Sequence, residues 1–395
     1  MNICLINNLF YPIETGSSRF VFKLARLLIN KGHNVTVIAT KFEKSPEYEV
    51  IDEIHIYRIS GIKLPQIPLA HNFKWFALTI FHSRKRVSNI INERKIQIIH
   101  LHGHIFDIGL HAVRLKKKYK IPLVLTIHLM AVHTNKFYNK ILKNLDICIA
   151  KPLIINKCDK LIAPDHNINN YLHNRFGKDN TELIPYFFDI NTVNKNYSTD
   201  CLNKYNLLPD SYIISVGHIQ ELRNREDLIR SLTILKNDFP NIKLVIAGKI
   251  LRQKTVGLVK TLGLKNMVIF TDYISNEEIL CLIRHSILVA QWGSYSNAGG
   301  LGFASLEAMA LEKTVMTLPG KELIYKKEIT NWNEVVVAHK DNPSKIAQDM
   351  IRLINDETLR KNIGINARKY IEKKFDSNAI YLKTIKLYND LTLAR

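Results

Sequence analysis

The chain has 395 residues, 46% hydrophobic and 23% charged, a balance that excludes collagen-like, disordered and membrane-spanning classes. That length exceeds the size at which one hydrophobic core stops growing, so two domains are expected. A formal net charge of +21 calls for polyanionic neighbours, whether nucleic acid, anionic lipid or phosphorylated substrate.

In chain order, Ile3-Cys4-Leu5-Ile6 reads as a first strand, with no basic leader or cleavage site ahead of it. A loop with Pro12 and Gly16 leads to a helical period at Phe20, Lys23, Leu24, Leu27 and Leu28 that closes at Lys31-Gly32. "NVTVIAT" follows as a second strand, so the opening is a βαβ unit of a parallel sheet. Further strands are expected at 96–102, 122–128 and 160–164. The pattern restarts after residue 210 with "YIISVGH", "IKLVIAG", "MVIFTDYI", "ILVAQ" and "TVMTL" separated by helices, and the last segment is helical throughout. The expected fold is therefore α/β, with two Rossmann-like doubly wound halves and a ligand site in the cleft between them. The boundaries read as 1–195, 196–378 and a closing helix over 379–395 that crosses back to the first domain.

The five cysteines, Cys4, Cys148, Cys158, Cys201 and Cys281, are scattered and show no zinc spacing. They are expected to be reduced thiols of a cytoplasmic protein, with no metal site. His102 and His104 in "HLHGH" alternate at a strand end without a third ligand and read as packing or hydrogen-bonding groups. The apolar-aromatic "FKWFALTIF" running into the basic "FHSRKRVSN" (81–89) is what a segment lying on an anionic membrane surface offers. Nucleic-acid binding has no aromatic-basic recognition module to support it. A nicotinamide site is disfavoured because the first loop holds one glycine where three are needed.

The stretch "GGLGFASLEAMALEKTV" (299–315) carries the sharpest chemical signal. Its glycines let backbone approach a ligand, a helix N-terminus follows that suits an anion, and Glu307 lies in an apolar helix start where a carboxylate needs a partner.

Together with "YPIETGSSRFVFKLARLLINKGHNVTVIAT", "IIHLHGH", "LTIH", "CDKLIAP", "LIPYFFD", "SVGHIQELRNREDL" and "VIFTDYISNEEI", in that order, this stretch makes the chain resemble the retaining nucleotide-sugar glycosyltransferases of the GT-B fold, family-four type, known as glycosyl transferases group 1. The resemblance spans nearly the whole length. It implies transfer of a hexose-type sugar from a nucleotide-diphosphate donor to a saccharide or lipid-linked acceptor in surface polysaccharide or glycan biosynthesis. It also implies retained anomeric configuration, no metal and no cofactor, and work in the cytoplasm or peripherally at the inner face of the membrane. Glu307 matches the residue that accepts hydrogen bonds from the ribose hydroxyls, while Gly299 stands where the family usually has another glutamate that touches the donor sugar. Gly302, Phe303 and Ala304 would offer backbone N–H groups to the diphosphate. His218 and Arg223 match its cationic pair, His218 replacing the usual arginine. Tyr273 and Ile274 fall where the base is read, Gly16 in the glycine loop near the sugar, and His128 at a histidine beside the reacting sugar. The two departures, Gly299 and His218, leave open an alternative: a non-catalytic subunit of the same fold that binds nucleotide or a partner transferase.

Overall fold

The computed structural model describes every residue except 14, 43–44, 64–76, 80–82, 106, 134, 189, 191–192, 194–196, 220–224, 293–300, 319–323, 325–327 and 395. The chain forms two compact units, Met1–Tyr186 with Ser377–Arg395, and Phe187–Asp376.

The first unit runs β1 (Asn2–Asn7), α1 (Gly16–Asn30), β2 (Asn34–Thr40), β3 (Tyr48–Ile51), β4 (Ile54–Ile59), β5 (Ile62–Lys63), β6 (Ala77–Leu78), α2 (Arg84–Glu93), β7 (Ile98–His102), α3 (Ile108–Tyr119), β8 (Leu123–Thr126), α4 (Lys136–Leu145), a π-helical turn Asp146–Ala150, α5 (Lys151–Leu153), β9 (Lys160–Ala163), α6 (His166–Phe176) and β10 (Thr181–Leu183). Its sheet has the order β10-β9-β8-β7-β1-β2-β4-β3, parallel except where β3 meets β4. The order reverses between β1 and β7, the switch point at which open α/β sheets place ligands. Helix α1 starts at Gly16 because Thr15 caps it: the Ser18 N–H donates to Thr15 Oγ1 at 3.1 Å and the Thr15 N–H to Ser18 Oγ at 2.7 Å. Phe20, Val21, Leu24, Ala25 and Leu28 then fall on its buried face.

The second unit runs α7 (Asp200–Asn203), β11 (Tyr212–Val216), α8 (Arg225–Asp238), β12 (Lys243–Ala247), α9 (Gln253–Thr261), β13 (Val268–Asp272), α10 (Asn276–His285), β14 (Leu288–Gln291), α11 (Phe303–Ala310), β15 (Val315–Thr317), β16 (Val336–Val337), α12 (Pro343–Asn355) and α13 (Glu357–Lys374). Its fully parallel sheet, β13-β12-β11-β14-β15-β16, is the doubly wound order with the switch point between β11 and β14. Buried apolar side chains cover both faces of this sheet, as an all-parallel sheet requires. The last helix, α14 (Ser377–Leu393), belongs to the first unit: Lys31 Nζ donates to Asn378 Oδ1 at 2.9 Å, and His33 Nε2 and Tyr381 OH share a hydrogen bond of 2.9 Å.

Two expectations are corrected. The crossing between units falls after Tyr186 rather than at 195, because Phe188 and Val193 are already buried in the second unit's core. Cys201 and Cys281 are joined as a disulfide linking α7 to α10, so only Cys4, Cys148 and Cys158 are free thiols. Residues that are distant in sequence are brought together by the fold, and spacing along the chain gave no sign of it. Within 81–89, the described part of α2 turns Val87 and Ser88 into the protein, with Ile90 and Ile91 beyond them, so the apolar face of that helix is taken up by the core. Residues 81 and 82, and most of the aromatic stretch before them, lie outside the described residues.

Candidate functional site

In the second unit, three strand ends build one surface. β11 runs into Gly217 at φ +115° and β12 into Gly248 at φ +144°, conformations that favour glycine. A Cβ on Gly248 would lie 2.5 Å from the carbonyl carbon of Gly217, so the two loops touch through bare backbone. The Gly217 N–H donates to Ala247 O at 2.7 Å. Arg225, at the start of α8 and buried, donates from Nη2 to Val216 O at 2.9 Å and to Gly217 O at 3.1 Å, and from Nη1 to Ser215 Oγ. It fixes the path of the loop from beneath.

On that loop His218 is exposed and its Nδ1 accepts the Lys249 N–H at 3.2 Å, which leaves Nε2 to carry the hydrogen of the neutral ring. The Lys249 ammonium sits 5.5 Å from the ring centroid of the exposed Tyr273. Ile274 beside it is buried in the core, so any ligand contact there falls to its backbone. Arg223 and Gly299 lie outside the described residues.

Across the switch point, α11 begins after Gly302, whose φ −63° and ψ 158° place it as N-cap with open space where a Cβ would stand. Phe303 and Ala304 turn their side chains toward the core, which leaves their backbone as the helix's polar end. Glu307 is 5% exposed. Its carboxylate stands near the Tyr197 hydroxyl, which burial, and then Glu277 and Glu307, raise above the usual tyrosine range. The geometry offers a glycine-lined loop, the Lys249 ammonium near it and a helix N-terminus, the parts from which phosphate sites are made.

In the first unit, His128 follows β8 and sits among rings. It stacks on Tyr186 at 5.7 Å and 5°, lies 5.2 Å from His102, and has Phe20 5.5 Å away. Both of its nitrogens are engaged, Nδ1 with Tyr186 OH at 2.9 Å and Nε2 with His102 Nδ1 at 3.0 Å. Burial holds His128 neutral, pushing its pKa down to about 3. His102 lies well below the imidazole range through burial and then through His100 and His128. His100 has Nδ1 against Tyr388 OH at 2.6 Å and Nε2 against Thr126 Oγ1 at 2.7 Å, and burial, then His128, bring it to about 3. Gly16 opens α1 at an ordinary φ with nothing within 4 Å of a would-be Cβ, so neither backbone geometry nor packing within the protein demands glycine there.

His102 is therefore a hydrogen-bonding residue, as expected, but its partner is the candidate His128. His104 pairs with Asp146 at 3.3 Å and is buried, and no group of ligands able to hold a metal occurs among the described residues. Sequence reasoning missed Tyr186, Arg225 and Lys249. The basic residue after "IKLVIAG" was a readable signal for Lys249, whereas Tyr186 meets His128 only through the fold, 58 residues along the chain.

Two family profiles match the chain in order, glycosyltransferase family 4 over residues 15–192 and glycosyl transferases group 1 over residues 203–370. An uncharacterised glycosyltransferase of Methanocaldococcus jannaschii is 26% identical, with 98% of each chain covered. A capsular polysaccharide biosynthesis glycosyltransferase of Staphylococcus aureus is 28% identical over 54% of each. The crystal structure of Anabaena HepE in complex with UDP superposes with a TM-score of 0.75 at 15% identity, covering 99% of this chain and 100% of that one. With two Rossmann-like parallel-sheet units that each reverse at a switch point, the chain belongs to the GT-B glycosyltransferases of group 1.

Proposed function

We propose that the protein moves a sugar, with retention at the anomeric carbon, from a nucleoside diphosphate to a saccharide or lipid-borne acceptor at an anionic membrane surface. The observation that carries this reading is the second unit's switch point, where the glycine-lined loop with His218 and the start of α11 with the buried Glu307 flank the same pair of strands. In this reading Glu307 accepts from the ribose hydroxyls. The α11 N-terminus at Gly302, Phe303 and Ala304 faces the diphosphate, with His218 and Arg223 beside it. These fixed dipoles and charges stabilise the negative charge that grows on the leaving group, doing the work of a divalent cation. Tyr273 and Ile274 border the base, and Gly16 gives the sugar room near the first unit's first helix. His128, held neutral, is a hydrogen-bond partner for a sugar hydroxyl rather than an acid, and it exchanges its bond to Tyr186 or His102 when it binds. Retention follows a same-face route in which the departing diphosphate assists the incoming acceptor. The relative made for capsular polysaccharide and the neighbour solved with UDP support the donor and acceptor classes.

Thermal unfolding with UDP, GDP, ADP and CMP, alone and as their sugars, tests the reading. A ligand at 100 times its dissociation constant adds about 2.7 kcal/mol, and one base should stand out. Stabilisation by none of them overturns it. A non-catalytic subunit is the second reading, favoured by His218 and Gly299 at positions where the family usually carries charge. Nucleotide binding without release of free nucleotide to any acceptor would establish that reading in place of transfer.

A further inference from the structure

Helix α4 has no buried residue, although the segment from 136 to 157 is rich in apolar side chains. Phe137, Ile141, Leu145, Ile149 and Leu153 recur at a spacing of four. An ideal α-helix would let such a row drift around its axis, but the wide turn Asp146–Ala150 takes more residues per revolution and holds the row to one side. Phe137 is 67% exposed, Leu145 40%, Ile149 48% and Leu153 47%, with Ile147 exposed among them. Leu129, next to His128, is exposed as well.

The charge of the same segment is one-sided. Lys136, Lys140, Lys143, Lys151 and Lys157 are its basic residues, and its one acid, Asp146, is turned inward. The Tyr171 hydroxyl donates to Asp146 Oδ2 at 2.5 Å, His104 Nε2 lies 3.3 Å from Oδ1, and Arg175 Nε is 3.8 Å from Oδ2. The fold thus removes the segment's only negative charge from its surface and leaves an apolar row flanked by lysines. That is the composition of a helix lying in the interface of an anionic bilayer, with the row in the acyl boundary and the lysines among the headgroups. A water-facing helix gains nothing from such a row, and no helix among the described residues is long and apolar enough to span a membrane.

We propose that residues 136–157 are the surface by which this protein docks on anionic lipid. The use of that contact rests on the lipid-borne acceptor proposed above; its geometry does not. Cys148 precedes Ile149 of the row as an exposed free thiol, whereas Cys4 is buried and burial pushes Cys158 up to about 12, so Cys148 can be labelled selectively with a solvatochromic dye. The full chain is sedimented with phosphatidylcholine vesicles with and without phosphatidylglycerol. We expect partition onto the anionic vesicles only, weaker at high salt, with a blue shift of the Cys148 label. Phe137→Ser with Ile149→Ser, and separately Lys140→Glu with Lys143→Glu, should each lower partition by at least about tenfold. Nucleotide stabilisation should stay as in the parent, which also shows that the variants fold. A protein left in the supernatant at low salt, a label blind to the vesicles, or variants that bind like the parent overturns the proposal. Vesicle binding by a chain that no nucleotide stabilises supports this surface and removes the transfer reading instead.

Discussion

Glu307 is buried beside Tyr197 in a helix whose other inner residues, Ser305 apart, are apolar, a position where a carboxylate needs partners for its charge. Glu307→Gln keeps the volume and removes the charge, and hydrogen bonds to charged groups contribute about 1.5–3 kcal/mol. Nucleotide affinity by calorimetry should therefore fall about 10- to 100-fold with the fold intact. His218→Arg should keep or raise turnover and flatten its profile between about pH 6 and 8, because a guanidinium stays charged where imidazole does not. A sharp loss of turnover in that variant speaks against a rim position on the diphosphate. Tyr186→Phe removes the hydroxyl that shares a hydrogen bond with His128 Nδ1. If Tyr186 positions His128, KM for the acceptor should change while the affinity for free nucleotide does not. Glu307 was legible as a charge in an apolar helix start, and its partner role came from family resemblance. Tyr186 lies in the recognised stretch "LIPYFFD", but its pairing with His128 was illegible because only the fold brings the two together.

The elements were read better than their joints. Most strands of both sheets are visible as short β-branched runs, since strands buried on both faces need apolar sequence, whereas β4 was missed because His55, Tyr57 and Arg58 interrupt its apolar residues. The crossing at Tyr186 was misplaced because the polar stretch after it resembles a linker while Phe188 and Val193 already serve the second core. Gly248 looks like any glycine after a strand, and only the contact with the Gly217 backbone explains it. At Gly364 in α13 a Cβ would meet Glu312 O at 2.0 Å. Gly364→Ala should destabilise the second unit by about 1–3 kcal/mol or more, read as a lower denaturation midpoint of its transition. The histidines of β7 and the end of β8 make a pH prediction. Folded His100 and His128 stay neutral to about 3, while their unfolded forms protonate near the ordinary 6.5. Their stabilisation is complete above 6.5 and is lost as the pH falls toward 3, by about 2 kcal/mol per ring at pH 5. The melting temperature should drop between pH 7 and 5, and less so in His100→Gln; a flat profile would contradict the buried neutral rings.

For the whole molecule, the charge of +21 divided the possible partners poorly from sequence, because a basic balance serves phosphate, lipid and nucleic acid alike. The structure resolves part of it locally: an inward Asp146 makes one stretch of the surface purely basic, and Lys249 stands over Tyr273 at the strand ends of the second unit. The topology has a further consequence. The chain leaves the first unit after Tyr186 and returns to it only at Ser377, where α14 supplies Tyr388 to His100. A polypeptide emerging from the ribosome can thus finish its middle portion while its beginning still waits for its last helix. Nascent chains arrested before residue 377 should carry a protease-resistant centre and a digestible start, and stop codons that remove a few carboxyl-terminal turns should injure the amino-terminal half, the part made first.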